Sequence, residues 1–224
     1  MILDINFSNQ GKISASTTST GEGGNININA PENIDISGEG KISVETTGAG
    51  NAGTIEIETP NLTTTDGIDI TASTTGDGNA GNINIITNNF NLEAGTTLTT
   101  ETDSSGSAGD ITINSETLTI GEGAKISATA KENATNTDTA ENISINSNQL
   151  NIFGQLGIFA ETQGEAPAGT LNLNTYNDNP DLNINFSNSG FISARTFSSG
   201  NGGNINLFAP ESINITAYIP HDKM

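Results

Sequence analysis

Cysteine is absent from the 224-residue chain, and its single histidine, His221, stands three residues from the end. Without thiols there can be no disulfide, no thiolate nucleophile and no zinc–sulfur site. With one histidine, charge-relay catalysis and multi-histidine metal centres lack the side chains they need. Basic residues are equally scarce: 6 Lys and Arg face 26 Asp and Glu, a formal charge of −20 at pH 7. A nucleic-acid surface needs a basic footprint to neutralise phosphates, so nucleic acid is not an expected partner, and anionic membrane surfaces are disfavoured in the same way. No run of about 18 apolar residues occurs, so no membrane-spanning helix is predicted. Residues 1–20 are polar and lack an apolar segment, so no cleavable leader is expected there.

Low hydrophobicity (32%) with high net charge is the composition of a disordered chain. The identity and placement of the apolar residues argue for order instead. They are mostly Ile and Leu, set at regular intervals among Asn, Thr, Ser and Gly.

That regularity is a repeat. A small or Gly-rich turn, a polar residue and Ile-x-Ile (or its Leu equivalent) recur seven times, anchored at Asn25, Thr54, Asn82, Asp110, Asn142, Thr170 and Asn204. Successive anchors lie 28 to 34 residues apart, the signature of an array. Each unit holds two more short alternating segments. The second carries Ile34/Ile36, Leu62/Thr64, Phe90/Leu92, Leu118/Ile120, Leu150/Ile152, Leu182/Ile184 and Ile213/Ile215. The third begins at Ile13, Ile42, Ile70, Leu98, Ile126, Ile158 and Ile192. Alternation with period two marks strands with one buried face, and helical spacing is absent.

Three short strands per unit, joined by Gly, Asn, Ser or Asp turns, predict an all-β chain: a right-handed parallel β-helix (solenoid) of about seven coils. Each coil would bury its apolar face only by stacking on its neighbours. Aligning the third strands gives three inward columns. One is aliphatic, beginning with Ile13 and Ile42. The next is small except at Val44 and Thr100. The last reads Thr17, Thr46, Thr74, Thr102, Ala130, Thr162, Thr196, where hydroxyls can satisfy backbone at a corner. The polar residues at the seven anchors form a further column, read as structural ladders along the axis. At about 4.8 Å per coil the shaft would be about 34 Å long, and open strand edges at its ends would invite end-to-end self-association.

A longer repeat overlies the short one: residues 3–36 recur as residues 182–215, an offset of 179, with most positions identical. The array is expected over residues 1–217, and residues 218–224 match no repeat.

The phrases GNAGNINI (78–85), GSAGDITINSETLTIGEGAKISA (106–128), GAKISATA (123–130) and GNGGNINLFAPESINI (200–215) resemble the repeat region of filamentous-haemagglutinin-like exoproteins, in the style of the large cyanobacterial members. The resemblance covers residues 2–217. It implies a right-handed β-helix passenger of two-partner secretion, exported through a dedicated outer-membrane β-barrel transporter and placed outside the cell or on its surface as an adhesin. The family's secretion domain, with its NPNG/NPNL-type motif, is not found in this sequence.

Candidate sites follow from the outward columns. Glu45, Glu101 and Glu161 recur every second coil, about 9.6 Å apart, at the far edge of inverting-glycosidase separations. No opposed carboxylate column accompanies them, so solvated surface is the preferred reading. The loops Gly76–Asn79 and Asp103–Gly106 offer one carboxylate each, too few for a specific calcium site. The column Ser14, Ser43, Thr71, Thr99, Ser127, Phe159, Ser193 is a hydroxyl ladder that would suit ice binding, but its neighbour carries Glu and Arg. Two ion pairs are expected between coils, Lys41–Asp69 and Arg195–Glu161. The Asn-x-Ser/Thr matches at Asn61, Asn133, Asn142 and Asn214 are expected by chance in this composition. Insertions at 131–141 and 174–181 lengthen two coils. In solenoids such loops often carry binding, which makes Tyr176, Asp178, Asn133 and Asn136 the candidate contact residues.

The functional expectation is a non-catalytic structural or adhesive shaft without cofactor or metal, contacting glycans or cell-surface polymers. The alternative is a carbohydrate-active lyase- or hydrolase-like β-helix enzyme.

Overall fold

The computed structural model describes residues 2–93, 95–136, 140–177, 181–208 and 211–216. Asp178 and the segment 217–224 lie outside the described residues. All regular structure among the described residues is β, in twenty strands.

The first strands of successive coils are β3 (Ile26–Asn29), β6 (Ile55–Glu58), β9 (Ile83–Ile86), β12 (Ile111–Ile120), β14 (Ile143–Phe153), β16 (Leu171–Asn174) and β19 (Ile205–Leu207). Second strands are β1 (Ile2–Asn6), β4 (Asn33–Ser37), β7 (Asn61–Thr64), β10 (Asn89–Leu92), the later halves of β12 and β14, β17 (Asn183–Ser187) and β20 (Ser212–Thr216). Third strands are β2 (Gly11–Ser14), β5 (Gly40–Thr46), β8 (Asp69–Thr74), β11 (Thr97–Thr102), β13 (Lys125–Ala130), β15 (Gly157–Thr162) and β18 (Phe191–Thr196). Every pairing is parallel and joins one coil to the next, giving a β-solenoid of about seven turns. First and second strands share a 13-stranded sheet, and the third strands form a 7-stranded one.

The first two strands are separate in most coils but continuous in β12 and β14. The corner between them differs in sequence from coil to coil. Pro31 and Pro60 stand there in the first two coils and lack the N–H that a ladder needs. At the same corner β12 and β14 carry Ser115 and Ser147, both fully buried. The Ser147 hydroxyl donates to the Gln149 carbonyl at 3.0 Å, as the Thr87 hydroxyl does to the Asn89 carbonyl between the separate strands β9 and β10.

Register reproduces the columns of the first and third strands. In the second-strand column Leu150 and Ile152 pair with Ile184 and Phe186, so the expected members Leu182 and Ile184 are displaced by two residues, which keeps the same face inward. Ile42, Ile70, Leu98, Ile126 and Ile158 are matched neighbours, each fully buried. The inward faces of all three strands merge into one aliphatic core. At the second corner a left-handed residue recurs, with φ of 78° at Gly67, 76° at Gly95 and 75° at Gly123. Glycine adopts that conformation without strain.

The third corner is closed by threonine. Hydroxyls of Thr17, Thr46, Thr74 and Thr102 donate to the carbonyls of Gly21, Gly50, Gly78 and Gly106 at 2.6–2.8 Å. Ala130 breaks this column where the 131–141 insertion begins, and it packs instead with Ala134 and Ala166 in a small separate cluster. Just before each anchor stands a second column: Gly24, Gly53, Gly81, Gly109, Glu141, Gly169, Gly203. A Cβ at Gly53, Gly81 or Gly109 would overlap the carbonyl oxygen of Gly24, Gly53 or Gly81 in the preceding coil. Backbone approach is that close, and Glu141 is the one exception.

Candidate functional site

The outer face of the third strands carries the carboxylates that sequence singled out, and each is ion-paired. Glu45 binds Lys12 (3.2 Å) and Lys41, Glu101 binds Lys131 (2.6 Å), and Glu161 binds Arg195 (2.8 Å). The Arg195–Glu161 pair is as expected. The expected Lys41–Asp69 pair is not formed, although the two residues are register partners. Lys41 instead turns along its own strand to Glu45, two pleats away on the same face, and Asp69 accepts the Thr97 hydroxyl at 2.6 Å. Burial alone would raise the Glu45 carboxyl; hydrogen bonds and charge from Lys41 and then Lys12 outweigh it and hold it below 4.5. An acid so neutralised is a weak general acid at neutral pH.

Between these carboxylates the hydroxyl column is sunk in part, with Ser14 exposed and Thr71 and Ser193 half-buried. Ser43, Thr99 and Ser127 are 0%, 4% and 3% exposed, so they present no flat hydroxyl plane to solvent. Long neighbours two residues away, such as Lys41 and Glu45, flank them on the same face. Further along, Phe159 meets the ring of Phe191 edge-on at 5.0 Å, and the Arg195 guanidinium lies 4.4 Å from the Phe197 ring centre.

The first two strands present a different outer surface, built of amides. Asn61 donates to Asn33 at 2.8 Å and Asn89 to Asn61 at 2.9 Å. Asn146 donates to Asn114 (2.7 Å) and Asn174 to Asn146 (3.1 Å). Asn185 and Asn214 continue a third ladder from Asn151, each step 3.0 Å. The anchor column behaves differently. There the side-chain oxygens of Asn25, Asn82, Asp110 and Asn142 accept the backbone N–H of Thr54, Asp110, Asn142 and Thr170 in the next coil at 2.8–3.2 Å. A shallow groove of about 290 Å³ follows the first corner past Pro31, Pro60 and Ile86.

The loop candidates are tied to the stack. Asn133 donates through its backbone and its amide to Asp103 (3.3 and 3.0 Å), and Asn136 donates to the Ser107 hydroxyl at 2.9 Å. The Tyr176 backbone N–H donates to the Asn148 side chain at 3.1 Å, and Tyr176 is half-buried. Asp77 and Asp103, from the loops considered for calcium, accept from Ser105 (2.7 Å) and Asn133 in the next coil. No cluster of three or more His, Cys, Asp or Glu suited to a metal occurs among the described residues.

Sequence reasoning passed over Glu141. It is 4% exposed, and its carboxylate accepts the Ala108 N–H at 2.9 Å. The signal was present in the column before the anchors, where it alone replaces glycine. A related departure lies beside it: Thr100, the polar member of a small apolar column, donates its hydroxyl to the Gly109 carbonyl at 2.6 Å. No family model, curated protein or solved structure matches the chain.

Proposed function

We propose that the chain is a section of the shaft of a filamentous-haemagglutinin-like exoprotein, a structural and adhesive element without catalysis that works outside the cell or at its surface. Export would use the outer-membrane transporter of a two-partner system. The observation that carries this reading is the amide surface: the ladders through Asn33–Asn61–Asn89 and Asn114–Asn146–Asn174 repeat one hydrogen-bonding group along the shaft. A ladder fixes each amide and leaves its remaining donors and acceptors facing outward at a constant spacing. Glycans and cell-surface polymers present hydroxyls in a repeating series as well, and many weak contacts on one rigid rod add into useful avidity. The repeat phrases in the sequence support the family, and the pairing of Glu45, Glu101 and Glu161 with cations favours the shaft over the lyase- or hydrolase-like alternative.

The test is to immobilise the chain and present pectins, alginates and neutral glucans, measuring retention together with reducing ends and unsaturated products. Retention without turnover is expected. Turnover that disappears in Glu45→Gln, Glu101→Gln or Glu161→Gln would replace the shaft with an enzyme, and no retention of any polymer would remove the adhesive role.

A further inference from the structure

We propose that Glu141 makes the joint between the fourth and fifth coils proton-sensitive, so that the turn Ser107–Asp110 docks on Ala140–Asn142 more firmly in acid than at neutral pH. The joint is a reciprocal clasp of two carboxylates. Glu141 reaches back to the fourth coil and accepts the Ala108 N–H at 2.9 Å, while Asp110 reaches forward and accepts the Asn142 N–H at 2.8 Å. In the other coils the Glu141 position is glycine, so this is the one place in that column where a side chain, and an ionisable one, fills the seam. The pocket around it is lined by Asn82, Ser107, Ala108, Asp110, Ala140 and Asn142, none of them a cationic side chain. From the sixth coil, Gly169 stacks against the Glu141 carbonyl, and its neighbours Ala168 and Thr170 do not titrate. Asp110 is therefore the titratable group that faces Glu141 among the described residues, and it carries the same sign.

The electrostatics follow from that geometry. Burial pushes the Glu141 carboxyl above 4.5; its own N–H and that of Ala108 oppose the rise, and the charge of Asp110 adds to it. An undocked Glu141 would titrate as an ordinary glutamate. Below that ordinary range both forms are protonated and docking is at full strength. As pH rises, the undocked form ionises first, so docking weakens until the docked carboxyl ionises too, and is constant above that point. Each unit of separation between the two titrations is about a tenfold change in the opening equilibrium.

The experiment is hydrogen–deuterium exchange on the full chain at about pH 4 and about pH 7.5, corrected for intrinsic exchange chemistry, with amides of β9 as the internal control. Opening at Ser107–Asp110 should increase about threefold or more between the two conditions, while β9 does not follow. Glu141→Gln keeps the shape and cannot ionise, so its opening should not change with pH; Asp110→Asn keeps the acceptor and should shrink the increase. A carboxyl-carbon titration of the unaltered chain is the second measurement, with a Glu141 midpoint above the ordinary glutamate range expected. An equal pH response in Glu141→Gln, a decrease of opening with pH, or an ordinary midpoint would each overturn the proposal.

Discussion

The hydroxyl of Thr102 donates to the carbonyl of Gly106, four residues on, at 2.6 Å, and both atoms are buried from water. At this corner the side chain supplies the carbonyl with a donor. Replacing Thr102 by Val keeps the volume and removes the donor. The expected loss is about 1–3 kcal/mol, since a buried acceptor is left unsatisfied, and urea unfolding measures it. An unchanged midpoint would show that water replaces the hydroxyl.

Close stacking at the glycine column gives a sharper contrast. Gly81→Ala would place a methyl against the Gly53 carbonyl and should destabilise by several kcal/mol. Gly67 has open space around its Cα but a φ of 78°, so Gly67→Ala should cost only the left-handed strain, about 1–2 kcal/mol. Thermal unfolding of the two variants side by side checks the order.

Inside and outside of the solenoid should differ as strongly. Ile113 is fully buried between Ile85 and Ile145, and Ile113→Asp puts an unpaired charge there, a loss of several kcal/mol. Glu101→Ala removes one exposed-side ion pair with Lys131 and should change stability by about 0–1 kcal/mol. Denaturant midpoints that shift equally in the two variants would contradict the inward and outward assignment.

Acid should act on Glu45 in the opposite sense to Glu141. Its folded-state carboxyl is lowered, so its stabilising effect is present above the ordinary glutamate range and is lost as pH falls through the depressed value. Stability profiles of the chain and of Glu45→Gln should therefore be separate, by about 0–1 kcal/mol, above the ordinary glutamate range and converge as pH falls through the depressed value. Profiles that separate only in acid would reverse the sign.

Strands and columns were legible because a parallel stack translates sequence period directly into contact: Ile42 meets Ile70 and Thr74 repeats the bond of Thr46. Ion pairing was less legible. Straight register predicts Lys41 opposite Asp69, but a four-carbon stem reaches as easily along its own strand, and Glu45 also draws Lys12. The amide column Asn33, Asn61, Asn89 stands one residue before the aligned Ile34, Leu62 and Phe90 and was readable, whereas the ladder Asn151–Asn185–Asn214 was hidden by the two-residue displacement of β17. The contact candidates Asn133 and Asn136 prove to be fastened to Asp103 and Ser107, a use that loop length alone does not reveal.

The in-register columns bear on how such a chain changes over time. Residues 3–36 and 182–215 are nearly the same in sequence, but their strands pair two residues apart: Ile5 pairs with Ile36, whereas its equivalent Ile184 pairs with Ile213, the equivalent of Ile34. Unequal exchange between the gene segments encoding them would delete or add 179 residues, which is six whole coils. A two-residue displacement keeps the same faces inward and outward, so the joined edges would still match aliphatic face to aliphatic face, and the product would differ in reach by about 29 Å.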